Sequence, residues 1–158
     1  MSDDVIRVVL NGEPVTLPAA ADDTLLEVLR RERVHSTRES CGQGVCGTCT
    51  VLVDGLSVAS CILLAHLADD TELETAEGLG LPGHLGVVQE AFVAEAGFQC
   101  GFCTPGMVLA ATELLRRNPT PTDDEIRHHL AGNLCRCGAY PEILAAVRHA
   151  ARLLAEEA

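Results

Sequence analysis

Three cysteines, Cys41, Cys46 and Cys49, fall inside the nine-residue run CGQGVCGTC, and a fourth, Cys61, follows after eleven intervening residues. The other four come as tight pairs: Cys100 and Cys103 in QCGFCTPG, and Cys135 and Cys137 in GNLCRCG. Thiols grouped in this way can close disulfides, act as nucleophiles, exchange redox equivalents, bind zinc or hold an iron–sulfur cluster. The first set is the more specific. Cys-x4-Cys-x2-Cys with a distant fourth cysteine is the spacing of a plant-type [2Fe–2S] loop. Two bridged irons need thiolates from directions that neither a helix nor a flat strand offers, so a loop has to wrap the cluster. Wrapping requires left-handed backbone and close approach, which accounts for Gly42, Gly44 and Gly47. The same loop aims backbone N–H groups at sulfur and stabilises its negative charge. Zinc sites pair two short C-x2-4-C units, which this set lacks, and a redox dithiol would use only Cys46 and Cys49. A [2Fe–2S] cluster is therefore expected here, with Cys61 on the returning strand of a hairpin. The second set is open on spacing alone, since C-x2-C plus C-x-C suits zinc as well as a cluster gripped from two sides.

Composition narrows the setting. The 158 residues carry a formal charge of −12, and all eleven basic residues are Arg. That balance repels nucleic-acid phosphate and leaves no polybasic segment for a membrane surface. No apolar stretch approaches the roughly 18 residues of a membrane span. The run MSDDVIRVVLNGEP has neither the basic start nor the apolar centre of a secretory signal, so a cytoplasmic location is expected. A reducing cytosol disfavours a disulfide framework. With 47% apolar and 3% aromatic residues, a core must come from Ala, Leu, Val and Ile. Two halves of roughly 80 residues each would be marginal alone and would gain from a metal or a partner.

The elements that must carry the cysteines can be read in order. Strands at 5–10 and 15–17 flank Asn11-Gly12, a hairpin signal because both residues tolerate positive φ. A helix follows from about Thr24, with Leu25, Leu26, Val28 and Leu29 on its apolar face. CTVLVDG and LSVASCILLA pair about Asp54-Gly55, and TELETAEGL supplies a last short strand. Such an order predicts a mixed sheet gripping one helix. Past the connector GLGLPGH only helices are expected. One runs from His84 to Ala96, and one from Pro105 to Arg117 with Thr104 as N-cap and Pro105 at the first helical position. A third opens on the Thr122/Glu125 capping box and closes at Gly132. The last runs from Pro141 to about Glu156. The cysteines thus sort four to the sheet half and four to the helical half.

Taken together, CGQGVCGTCTVLVDG, QCGFCTPGM and GNLCRCGAY, in this order and separation, closely resemble the small iron–sulfur subunit of the xanthine oxidase (molybdenum hydroxylase) family. The resemblance runs from Val5 to about Leu153. It implies an α+β chain: an N-terminal β-grasp [2Fe–2S] ferredoxin-like domain at 1–78 and a C-terminal all-α four-helix-bundle [2Fe–2S] domain at 79–158. It implies a cluster on Cys41, Cys46, Cys49 and Cys61, and a second on Cys100, Cys103, Cys135 and Cys137. It also implies partners, namely a large subunit holding a molybdopterin cofactor and a medium subunit holding FAD, in an (αβγ)2-type hetero-oligomer. In that setting the chain relays electrons from the molybdopterin centre to FAD and has no catalytic residues of its own. Gln99 matches a family glutamine whose amide bonds the pterin, a role suited to a group that donates and accepts at once. The backbone near Cys137 meets the pterin in the family too. Many members read Cys-Thr-Gly-Tyr where this chain has Cys137-Gly138-Ala139-Tyr140, which leaves the thiols intact and alters the turn that would face the pterin.

The alternative is a stand-alone ferredoxin-type electron carrier, for which the first half would suffice. Other residues read as structural. His128 and His129, adjacent on a helix, point roughly 100° apart and chelate poorly. The four remaining histidines stand singly, Arg136 sits between two thiols where it can offset charge, and no nucleophile-elbow motif supports hydrolysis.

Overall fold

The computed structural model describes residues 4–81 and 83–156. Asn11 and Gly12 take φ of 52° and 86° and close the first hairpin. It joins β1 (Val5–Leu10) to β2 (Glu13–Pro18), antiparallel, with Ile6 opposite Leu17 and Val8 opposite Val15. Helix α1 (Leu25–Arg31) starts at a reciprocal capping box between Thr24 and Glu27, and buries Leu25, Leu26, Val28 and Leu29. Asp54 and Gly55, again at positive φ, turn β3 (Thr50–Val53) into β4 (Leu56–Ala59). Strand β5 (Glu72–Glu74) enters between the hairpins, parallel to β1 and antiparallel to β3. The sheet order is β2-β1-β5-β3-β4, the expected mixed sheet. Ile6, Val8, Val51 and Leu73 close its core against Val28 and Leu29 of α1.

The rest of the chain is helical: α2 (Val87–Ala94), α3 (Thr104–Arg117), α4 (Asp123–His129) and α5 (Tyr140–Glu156). Their shared core includes Phe92, Met107, Ala111, Ile126, Val147 and Cys135. No helix among the described residues is long and apolar enough to cross a membrane.

Several boundaries differ from expectation: β2 runs from Glu13 to Pro18, α2 stops at Ala94 and α5 starts at Tyr140, and four further differences have a local reason. Helix α2 begins three residues after His84, because His84 exchanges both backbone hydrogen bonds with Leu81 and is held in that bridge. Helix α3 starts at Thr104 with Cys103 as N-cap, since the Cys103 carbonyl takes the first helical bond, from Met107 N–H at 3.1 Å. The Thr104 hydroxyl is thereby buried without a partner and caps nothing. Helix α4 ends at His129 and tightens into a 3-10 turn, Leu130–Gly132. Cys61 lies in the turn beyond β4, off the strand: pairing stops at Ala59 opposite Thr50, because Cys49 already belongs to the loop.

Helix α3 joins the two halves. Leu109, 1% exposed, packs between Leu52 of β3 and Ala76. Arg116 forks onto Glu74 of β5 with bonds of 2.6 and 2.9 Å. Glu113 accepts the Ser57 N–H of β4 at 3.1 Å, and pairs with Arg117 at 3.0 Å and with His129 at 3.5 Å. Burial pushes the Glu113 carboxyl up, but the Ser57 donors, Arg117 and His129 outweigh it and hold it below its ordinary 4.5. Leu109→Ala is expected to cost about 2–5 kcal/mol, the range for a truncated buried leucine. Denaturant unfolding of the cluster-loaded protein checks this, and a loss below about 1 kcal/mol would contradict the packing described.

Candidate metal centres

The front loop, 41–49, leaves α1 and enters β3 through three left-handed glycines, Gly42, Gly44 and Gly47, at φ of 62°, 72° and 65°. Their direction turns amides onto sulfur. Gln43 N–H points at Cys41 Sγ (3.4 Å) and Gly44 N–H at Cys61 Sγ (3.3 Å). Donation from Gln43, aided by the amide and thiol of Cys46, holds the Cys41 thiol at about 6. Burial, then the neighbouring Cys49 thiol, pushes Cys61 up to about 11. The strongest thiol neighbours are thus Cys46 for Cys41 and Cys49 for Cys61, with Cys41 also acting on Cys61.

The rear set repeats the pattern. Phe102 N–H and then the Cys137 thiol lower Cys100. Cys137 receives the Cys100 amide, which lowers it, but the Cys100 thiol and burial raise it on balance. Burial, then the Cys135 thiol, drives Cys103 up to about 12. For Cys135 burial acts upward, yet the Ala139 amide, the Cys103 thiol and the amides of Cys137 and Gly138 bring it down. Here the pairs are Cys100 with Cys137, both exposed, and Cys103 with Cys135, set into the helical core.

The donor sets fit a two-iron cluster. In each set every thiol whose environment is resolved has another cysteine of the same set as a neighbour, as four thiolates around two irons require.

The two loops are stitched together. Leu134 N–H, next to Cys135, donates to the Cys46 carbonyl at 2.8 Å. Asn133 Nδ2 donates to the Gly47 carbonyl at 2.9 Å and to Thr50 Oγ1 at 3.1 Å. A Cβ on Gly47 would stand 2.4 Å from the Gly132 carbonyl, and one on Gly106 would stand 2.4 Å from the Gly47 carbonyl. Tyr140 Oη accepts the Cys135 N–H at 3.0 Å and fixes the rear turn.

Known proteins divide the chain in the same way. A family described as "2Fe-2S iron-sulfur cluster binding domain" matches residues 8–81, and one described as "[2Fe-2S] binding domain" matches 75–148. The nicotinate dehydrogenase small FeS subunit of Eubacterium barkeri is 43% identical over 92% of this chain and 93% of its own. The nicotine 6-hydroxylase small subunit of Paenarthrobacter nicotinovorans is 44% identical over 90% and 86%. The chain belongs to the small iron–sulfur subunits of the xanthine oxidase (molybdenum hydroxylase) family. It carries two [2Fe–2S]-binding domains and serves as an electron-transfer subunit of an oxidoreductase. A chain of quinoline 2-oxidoreductase from Pseudomonas putida 86 superposes with a TM-score of 0.91 at 37% identity, over 96% of both chains. Aldehyde oxidoreductase from Desulfovibrio desulfuricans gives 0.93 at 35% identity, but this chain corresponds to 17% of that one. In that relative the same module is part of a much longer polypeptide.

Within this molybdenum hydroxylase subunit the remaining expected residues are placed as follows. Gln99 is exposed beside Cys100, and Arg136 is exposed between Cys135 and Cys137. Gly47 and Cys49 are buried, whereas Gly42 faces outward. His129 and His149 pair with Glu113 and Glu95, and a His66 ring nitrogen lies 3.0 Å from the Ala19 carbonyl, so these histidines are structural. Sequence reading missed Asn133 and Tyr140. Asn133 acts on a carbonyl 86 residues earlier in the chain, a separation with no local signature. Gly47→Ala places a methyl against the Gly132 carbonyl on left-handed backbone, so a cost of about 1–3 kcal/mol in strain is expected, with iron lost from the front site first. Iron analysis alongside visible absorbance decides it, and full iron content would refute the seam.

Proposed function

We propose that Cys41, Cys46, Cys49 and Cys61 hold one [2Fe–2S] cluster within a domain at 1–78. Cys100, Cys103, Cys135 and Cys137 hold the other within a domain at 79–158. On this reading the chain connects a large molybdopterin subunit to a medium FAD subunit in an (αβγ)2-type assembly in the cytoplasm. The observation that carries the reading is the gathering of eight thiols in two sets at two stitched loops. When bound, each cluster takes up and returns one electron at a time.

The protein's own contribution is to place and tune. Gln43 and Gly44 present N–H groups to the front sulfurs, and Phe102 and Ala139 to the rear ones, which favours the more negative form of each site. The inner rear thiols belong to the helical core, Cys135 within it beside Met107 and Ile143 and Cys103 packed against it. Gln99, whose amide both donates and accepts, stands at the exposed Cys100/Cys137 pair where a pterin on the large subunit would meet it. Phe98, Phe102, Leu134 and Tyr140 are exposed in that same region, and Val45 and Ile62 beside the front loop, so each site has apolar surface for a partner to cover. Eight free thiols suit a reducing compartment.

Metal analysis of the purified complex tests the assignment. Two irons at each of two sites are expected, together with molybdenum from the large subunit, and a colour bleached by dithionite. Cys103→Ala should leave the front pair of irons in place, abolish the rear signal and stop reduction of the flavin by substrate. Zinc at the rear thiols, or loss of both signals together in Cys103→Ala, would refute the two-cluster assignment. Mass measurement of the intact complex decides the stoichiometry.

A further inference from the structure

Arg38 stands three residues before the first thiol of the front loop, yet its guanidinium reaches the rear one. Its Nη1 donates to the carbonyl of Gly101 at 2.6 Å and to that of Phe102 at 3.1 Å, and its terminal carbon lies 5.5 Å from the centre of the Phe102 ring. Both carbonyls lie inside the Cys100–Cys103 bite. Among the described residues no backbone N–H reaches either of them. The bite's other holds are within the rear site itself, the Phe102 amide on Cys100, the Cys100 amide on Cys137 and Cys103 as cap of α3, while Gly101 is at φ 76° with open space where a Cβ would be and Phe102 is 45% exposed. Asn133 and Leu134 tie the front loop to the Cys135 side of the rear site. Arg38 supplies the hold on the Cys100 side. A planar, permanently charged fork can serve adjacent carbonyls and lie over a ring face together, which a lysine ammonium does less well.

We propose that Arg38 is a positioning residue for electron transfer between the two sites. It pins the Cys100–Cys103 bite to the front loop and so fixes the separation and relative orientation of the clusters. This rests on the reading that each quartet of thiols holds one [2Fe–2S] cluster. Electron tunnelling decays exponentially with distance, so a bite free to drift outward slows transfer even when every ligand is kept. Neither the hydrogen bonds nor the ring contact of Arg38 involves a ligand side chain, so its removal spares the donor set.

The test uses the holoenzyme with Arg38→Met and Arg38→Lys. Iron content per site is measured first. Low-temperature electron paramagnetic resonance of the fully reduced enzyme then reads the splitting that two nearby spins impose on each other. Rapid freezing after substrate addition reads how soon the front signal follows the rear one. Expected for Arg38→Met are parental iron content, a lost or narrowed splitting and a delayed front signal. Arg38→Lys should recover part of both. Parental splitting and timing in an iron-complete Arg38→Met enzyme overturn the proposal. If Arg38→Met does not retain iron, Arg38→Gln, which keeps an amide donor, is judged by the same two readouts. A parent enzyme lacking iron at one site would instead overturn the cluster assignment on which the proposal rests.

Discussion

Where the front cysteine loop meets the rear domain, backbone touches backbone. The Gly47 carbonyl takes the amide of Asn133 and lies where a side chain on Gly106 would have to be. Gly47 itself has no room for one against Gly132. This side-chain-free seam allows the Leu134 N–H to reach the Cys46 carbonyl and brings the peptide beside one quartet of thiols into contact with a cysteine of the other. Separate the loops by the width of a methyl group and the hydrogen bonds across the seam lose their geometry. The two sites would then be linked only through Arg38 and the packing of α3.

Charge poses the second constraint. The protein is already at −12 without any Lys, and deprotonated thiols make it more negative. Countercharge close to sulfur therefore has to come from peptide dipoles rather than cations. Gln43 and Gly44 in front, and Phe102 and Ala139 behind, supply it, which is why the loops need left-handed residues that turn N–H groups inward. Arg38 and Arg136 are nearby cations, but Arg38 is engaged by two carbonyls and Arg136 is exposed.

Much of this could be read from local sequence. Asn11-Gly12 and Asp54-Gly55 announced both hairpins, and Thr122 with Glu125 announced a cap that forms as expected. The spacing of the first three cysteines spoke for a wrapped cluster, because the geometry of that loop is encoded within nine residues. The rear set did not speak so clearly. Its thiols pair across the bundle, Cys100 with Cys137 and Cys103 with Cys135, and spacing along the chain does not carry that information. Thr104 looked like an N-cap by residue type, but the helix took one more turn residue and made Cys103 the cap. Asn133, Tyr140 and Arg38 escaped notice for a common reason: each matters through a partner that only the folded chain brings close.

Helix α3 begins at a thiol and ends at Arg116 on the sheet of the other half, with Leu109 clamped between. It is thus a strut shared by both domains and belongs wholly to neither. A rod anchored at both ends damps breathing between the loops, so the peptide dipoles beside the inner thiols shift less as charge passes. Less nuclear rearrangement per electron means a smaller reorganisation energy, and a relay that functions on a smaller thermodynamic driving force.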